Sequence, residues 1–196
     1  MNSYESMESQ SSSKLILIGG EAWTGKTTCS EILFYRLYNS AWLDGDDVWR
    51  VNPWSLNDPR LRISDINMAF VLQTYLQSKF EYVIFSSIVL CDLVITERIL
   101  KMIEVVEYEL LSFTLVCDTA TLRHRARKRD NNTSPDFLLL HQAMELDTIK
   151  IDTANRTPED VVDEMIAITR DPQVAGLKRM QRDGIVEWKP SNTSGK

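Results

Sequence analysis

Short aliphatic runs alternate with longer amphipathic stretches along most of this chain. Leu15-Ile16-Leu17-Ile18, Tyr82-Val83-Ile84-Phe85 and Phe113-Thr114-Leu115-Val116-Cys117 are continuous apolar runs, the pattern of strands buried on both faces of a parallel sheet. Ala41-Trp42-Leu43, after a break at Asn39-Ser40, and Thr148-Ile149-Lys150-Ile151 are shorter candidates of the same kind. Between them apolar residues recur at helical spacing: Cys29, Ile32, Leu33 and Leu37, then Met68, Leu72, Tyr75 and Leu76 behind a Ser64-Asp65 cap. Ile95, Ile99, Met102 and Val106 predict a helix over 92–108 with Asp92 as its cap, and Val161, Val162, Met165 and Ile168 predict another. That last helix has a marked start in Thr157-Pro158-Glu159-Asp160, with a capping hydroxyl, Pro at the first helical position and carboxylates in the first turn. A small run, Ile88-Val89-Leu90, follows Ser86-Ser87, and a short helix is expected through Leu138, Leu139 and Met144. Strands alternating with helices predict an α/β fold, a three-layer α/β/α sandwich on a five-stranded parallel sheet. Right-handed crossovers then bring the C-terminal strand ends to one edge.

Length and charge narrow the partners. A chain of 196 residues suits one domain, expected over 14–170, after a polar, serine-rich leader over 1–13 and before a tail over 171–196. Beyond Asp171-Pro172 that tail has little periodicity. A net charge of -6 argues against a general binder of nucleic acid polymers, which needs a basic surface. Cys29, Cys91 and Cys117 are an odd number of widely spaced cysteines in apolar surroundings, so they are expected to be buried free thiols. His124 and His141 lie far apart and are expected to be structural. No stretch approaches the roughly 20 apolar residues of a membrane helix. The expectation is therefore a cytoplasmic monomer or homodimer with no membrane partner.

The chemistry centres on Gly20, Glu21, Ala22, Trp23, Thr24, Gly25, Lys26 and Thr27, which fit the phosphate-loop pattern G-x-x-x-x-G-K-[ST] at every fixed position, with Thr28 next in line. The loop stands between a strand and a helix, as that pattern requires. Its glycines let backbone N–H groups point inward beside the positive end of the following helix, where they hold a polyphosphate. Lys26 is expected at the terminal phosphates of ATP, and the Thr27 hydroxyl at a bound Mg²⁺.

Further polar residues cluster at predicted strand ends. Asp44-Gly45-Asp46-Asp47 follows the second strand, at the edge where open α/β sheets bind ligands. The segment 48–59 is rich in Trp, Pro and Asn and carries Trp49, Arg50 and Trp54, with Arg60 and Arg62 just beyond. It reads either as a substrate-binding flap or as packing for the next helix. Serines follow the third strand, where many phosphate-loop enzymes place an Asp. Arg123, Arg125, Arg127, Lys128 and Arg129 crowd one helix of an acidic protein, which favours an anion as their partner over a solvated face. Asn131-Asn132-Thr133-Ser134-Pro135 reads as a flexible loop.

The loop Gly20 to Thr27, the turn Leu43-Asp44-Gly45-Asp46, the basic helix from Leu122 to Asp130 and the Ile151-Asp152-Thr153 strand end together span 14–170. With these motifs the chain resembles the small phosphate-loop kinases of the nucleoside-monophosphate-kinase fold, such as adenylate, shikimate, gluconate and adenylylsulfate kinases and chloramphenicol phosphotransferase. The resemblance implies ATP and Mg²⁺ as cofactors and a small-molecule acceptor that takes the γ-phosphoryl group on a hydroxyl or a phosphate. It makes Asp46 the preferred catalytic carboxylate, with Asp44 nearer Thr27 and the metal. Arg125 and Arg129 become lid arginines within a lid over 123–136, with Arg123 and Arg127 as second choices. Asp152 and Thr153 fall near adenine, and Trp49, Arg50 and Arg60 near the acceptor, which the arginines suit if it is anionic. Three activities remain open at this point: a small-molecule kinase, an ATP-binding regulatory protein without efficient transfer, and a GTPase, although no N-K-x-D sequence is present.

Overall fold

The computed structural model describes residues 12–53, 58–104, 107–137, 139–171, 173, 178–181 and 184–187. Trp54, Val106, Leu138, Pro172 and most of the predicted leader lie outside the described residues, as does the side chain of Arg62. The first strand, β1 (Lys14–Gly20), leads through the phosphate loop into α1 (Lys26–Arg36). β2 (Ser40–Asp44), a 3-10 turn at Gly45–Val48 and α2 (Leu61–Gln77) follow. Next come β3 (Tyr82–Ser86), a second 3-10 turn at Ile88–Cys91, and α3 (Leu93–Lys101). The chain continues through β4 (Glu107–Val116), α4 (Thr119–Asp130), α5 (Leu140–Glu145), β5 (Ile149–Asp152) and α6 (Pro158–Arg170). A hairpin, β6 (Lys178–Gln181) and β7 (Gly184–Glu187), follows it.

Five parallel strands in the order β2-β3-β1-β4-β5 form the expected sheet. Alternate residues of β1 explain its continuous apolar run, because they feed two different cores. Leu15 and Leu17 pack with Leu43, Phe85 and Leu110 beneath α2 and α3, through Met68, Leu72 and Ile99. Ile16 and Ile18 pack with Ile84, Leu111 and Phe113 beneath α1 and α6, through Leu33, Val162 and Met165. The capped start of α6 is as the sequence predicted: Thr157 Oγ1 accepts from Asp160 N–H, and Asp160 accepts from Thr157 N–H.

The structure extends the sheet and moves three predicted boundaries. β4 is ten residues long, and its second half pairs with β5 while Glu107–Leu110 pairs antiparallel with β6. The hairpin thus covers backbone that β5 is too short to reach. The helix predicted over 92–108 ends at Lys101, with Asp92 Oδ1 capping it as expected. Ile103 packs into the α2–α3 core, and Glu107 and Tyr108 already belong to β4. Ser64-Asp65 does not cap α2, which starts at Leu61. Asp65 is instead fully buried, its carboxylate 3.6 Å from Arg98 on α3, so it ties the two helices together. α5 starts at Leu140, two residues later than the short helix predicted there.

Candidate active site

The phosphate loop is shaped by two glycines. Gly20 has φ 145, and a Cβ there would stand 2.6 Å from Leu115 O and 2.8 Å from Thr24 Oγ1. Gly25 caps α1 with φ 98, in the region that favours glycine. Inside the turn one carbonyl collects the donors: Glu21 O accepts from Thr24 N (3.3 Å), Thr24 Oγ1 (2.8 Å) and Lys26 Nζ (2.9 Å). Desolvation lowers the pKa of Lys26, opposed by the nearby Cys91, Glu21, Asp46 and Asp44. Cys91 lies beneath the loop, where its sulfur accepts from Gly20 N–H at 3.2 Å. Burial raises the pKa of that thiol.

Glu21 has a role that the motif did not predict. Its side chain is 3% exposed, with Oε1 accepting from Ala22 N–H (2.7 Å) and Oε2 from Leu139 N–H (2.8 Å). It therefore joins the loop to the segment just before α5.

The acidic turn lies directly against the loop. Asp44 closes β2 in register with Ser86, and it caps the 3-10 turn through Oδ1 to Asp46 N (3.0 Å). Its other oxygen accepts from Thr27 Oγ1 at 2.9 Å. Gly45 is required by close approach, since a Cβ there would meet Ser87 Oγ at 2.4 Å. The two serines after β3 have local tasks: Ser86 Oγ accepts from Trp42 Nε1, and Ser87 Oγ from Val89 N–H.

A cavity of about 670 Å³ opens in front of the loop, bordered by Lys26, Thr27, Asp44, Asp46, Trp49 and Arg50. Trp49 is 4% exposed and belongs to the α2–α3 core. Arg60 does not border this cavity. It grips Asp58 through Nε and Nη2, and this pairing holds the Asp58 carboxyl down to about 2.

The basic helix sends its arginines to different partners. Leu122 and Ala126 are fully buried and seat α4 on the domain. Arg125 reaches from α4 to both the loop and the end of β5: Nη1 donates to Thr153 Oγ1 (3.0 Å) and Nη2 to Thr153 O (2.6 Å), with longer contacts to Trp23 O (3.3 Å) and Thr24 O (3.4 Å). Arg129 binds Asp130 at 2.8 and 2.9 Å, and its guanidinium stands 5.9 Å from the centre of the Trp23 ring. Trp23 Nε1 also donates to Asp130, at 2.6 Å. Arg123 turns instead to the Phe137 ring, 5.3 Å away, and Arg127 is exposed.

Behind the loop, between α4 and the start of α6, lies a second cavity of about 500 Å³, bordered by Gly25, Thr28, Arg125, Thr153 and Pro158. Trp23 and Arg129 border both cavities. Asp152 borders neither; its carboxylate turns to Ala154 N–H at 2.9 Å. Sequence reasoning missed Glu21's carboxylate, Cys91, Asp130 and Arg156, which borders the second cavity and donates to Glu164 at 2.6 Å. Of these only Asp130 had a visible signal, as the acidic end of a basic helix.

Several solved structures that share this architecture are named as small-molecule kinases. A gluconokinase from Sinorhizobium meliloti 1021 superimposes with a TM-score of 0.60 at 16% identity, covering 80% of this chain and 91% of its own. The tunicamycin resistance protein of Deinococcus radiodurans gives 0.63 at 18% identity, covering 81% and 96%. Shikimate kinase from Acinetobacter baumannii, in complex with shikimate, gives 0.57 at 15% identity, covering 85% and 98%. The fold is that of the small phosphate-loop kinases. At these identities the likeness extends to the fold alone. No family model matches this phosphate-loop chain, and neither does any curated protein sequence. No helix among its described residues is long and apolar enough to cross a membrane.

Proposed function

We propose that this protein is a small-molecule kinase that moves the γ-phosphoryl group of ATP to a hydroxyl of a small acceptor. The observation that carries this reading is the 2.9 Å contact between Thr27 of the phosphate loop and Asp44 of the acidic turn. It brings the phosphate-binding and carboxylate-bearing elements together at the mouth of one cavity. Mg²⁺ takes oxygen ligands and keeps several waters, and Thr27 Oγ1 with Asp44 Oδ2 is a hard-oxygen pair that fits it. Held there, the ion would supply positive charge to offset that on the transferring phosphoryl group. This reading assigns the second cavity, walled by Thr28, Arg125 and Thr153, to the nucleoside. Lys26 and Arg129 border the front cavity, where charge on the transferring group needs neutralising. Asp46 has no bond to the loop and is the carboxylate available to take the acceptor's proton.

A second reading, an ATP-binding regulatory protein without efficient transfer, is favoured by one observation. The serines after β3 are occupied by Trp42 and Val89, and neither is a carboxylate. The readings separate on Asp46→Asn. A kinase loses about 10²–10⁴-fold in turnover, while its ATP affinity stays within a few-fold. The measurement is ADP release from ATP·Mg²⁺ across hydroxyl-bearing acceptors, with calorimetry for ATP. ADP release no faster than hydrolysis, with every acceptor and in both proteins, would leave the regulatory reading standing.

A further inference from the structure

The front cavity discriminates by charge. Of the cations that border it, Lys26 and Arg129, the latter resting on Asp130 at 2.8 and 2.9 Å, are assigned to the transferring phosphoryl group by the kinase reading. Among the described residues Arg50 alone belongs to the acceptor half, and its guanidinium is held by Asp47 at 2.8 Å. With Asp44 given to the metal ion, two carboxylates stand against this one guanidinium: Asp46 at the cavity wall and Asp47 at Arg50. Arg60, which the sequence placed near an anionic acceptor, is engaged by Asp58 away from the cavity. The remaining wall is apolar or neutral, with Trp49, Val51 and Ile88 beside Asn52 and Ser87.

A carboxylate or phosphate ester entering here would lose water and meet a field of its own sign, without an uncommitted guanidinium to bind it bidentately. A hydroxyl on an apolar skeleton meets neither penalty. Resting on the kinase reading above, we propose that the acceptor is an uncharged or cationic hydroxyl compound carrying an apolar ring or chain, and not a carboxylate or a phosphate ester. The hydroxyl oxygen forms the new bond to the γ phosphorus, and its proton passes to Asp46. The bond from that phosphorus to the β–γ bridging oxygen breaks, and ADP leaves with the electron pair. An ammonium group on the acceptor is drawn by the same carboxylates that repel anions.

Matched acceptors test the charge directly: shikimate against its methyl ester, gluconate against glucitol, thymidine monophosphate against thymidine, each with ATP·Mg²⁺ and ADP release as the readout. In every pair that reacts, the uncharged member should be faster by at least about tenfold, and a faster anionic member overturns the proposal. A second arm needs no reactive acceptor. Inorganic phosphate is titrated by calorimetry into the full chain loaded with ADP·Mg²⁺. Any uptake by the wild type should be unchanged by Arg50→Ala, and Asp47→Asn, which releases Arg50, should bind phosphate at least about tenfold more tightly than the wild type. Saturable wild-type binding that Arg50→Ala abolishes, or an Asp47→Asn variant that gains nothing, overturns it. Failure of the kinase reading is seen separately, as no heat of ATP·Mg²⁺ binding in the same instrument.

Discussion

Arg125→Ala removes the only side chain among the described residues that hydrogen-bonds both the phosphate loop and the end of β5. Its two short bonds, both to Thr153, are charge-assisted, and such bonds contribute about 1.5–3 kcal/mol each. The contacts at 3.3 and 3.4 Å to Trp23 O and Thr24 O are long and add little. The guanidinium is half-buried, which keeps the sum near its lower bound. Thr153 is 3% exposed, so its carbonyl loses this partner where water has little access. The expected loss is about 3 kcal/mol, which lowers a urea midpoint by roughly 1.5 M for a slope near 2 kcal/mol/M. Arg125→Lys keeps the charge but not the fork, and should fall between the two. A midpoint within about 0.3 M of wild type, followed by circular dichroism, would refute this account. Calorimetry with ATP·Mg²⁺ on the folded variant separates the roles: a lost clamp weakens ATP by tenfold or more, whereas a purely structural strut leaves it unchanged.

Three further predictions follow from the same geometry. Burial lowers the Lys26 pKa in the folded chain, so the charged form costs stability below the folded pKa, and that cost fades as pH rises to the unfolded value. Ligand-free Lys26→Met should therefore melt higher than wild type at pH 7, with a gap that narrows toward pH 10, while ATP binding is lost; a lower melting point at pH 7 contradicts the desolvation argument. Gly45→Ala drives a Cβ to 2.4 Å from Ser87 Oγ, at about 1–3 kcal/mol, and Ser87→Gly in the same chain should recover much of it; additive losses in denaturant melts would rule that clash out. ATP·Mg²⁺ should slow hydrogen exchange across 123–135, because phosphate competes with Asp130 for Arg129 and orders α4; equal protection with and without nucleotide makes those arginines ordinary surface.

What could be read from the sequence was whatever local chemistry dictates. Gly20, Gly25 and Lys26 had to lie between a strand and a helix because their backbone and charge requirements are met within ten residues. The end of α3 was hidden because Met102 and Val106 follow Ile95 and Ile99 at the three- and four-residue steps of a helix. Ile103, in the α2–α3 core, belongs instead to the connection into β4. The hairpin gave no signal, since two four-residue strands are defined by the open edge they pair with rather than by their own pattern. Arg60 was misplaced for the opposite reason: Asp58, two residues earlier, captures it locally, and a count of arginines does not show which are already paired.

The serines after β3 make the position of Asp44 more informative. An Asp at that strand end is the usual companion of the loop Ser/Thr in enzymes with this loop. Here β2 lies beside β3 with Asp44 paired to Ser86, so the carboxylate stands one strand over, about 5 Å from the usual place. It still reaches Thr27 Oγ1. The shift has a steric counterpart: Gly45 crosses Ser87 so closely that no Cβ fits between them, and a longer side chain at position 87 would push the acidic turn off the loop. Serine after β3, glycine at 45 and aspartate at 44 therefore form one arrangement. On the kinase reading this arrangement keeps a carboxylate at the metal position and leaves Asp46 free for the acceptor. Ser87→Asp should then fail to improve turnover, because the added carboxylate displaces the one already in contact with Thr27. A rise in ADP release in that variant would mean that the strand-end carboxylate is missing, not moved.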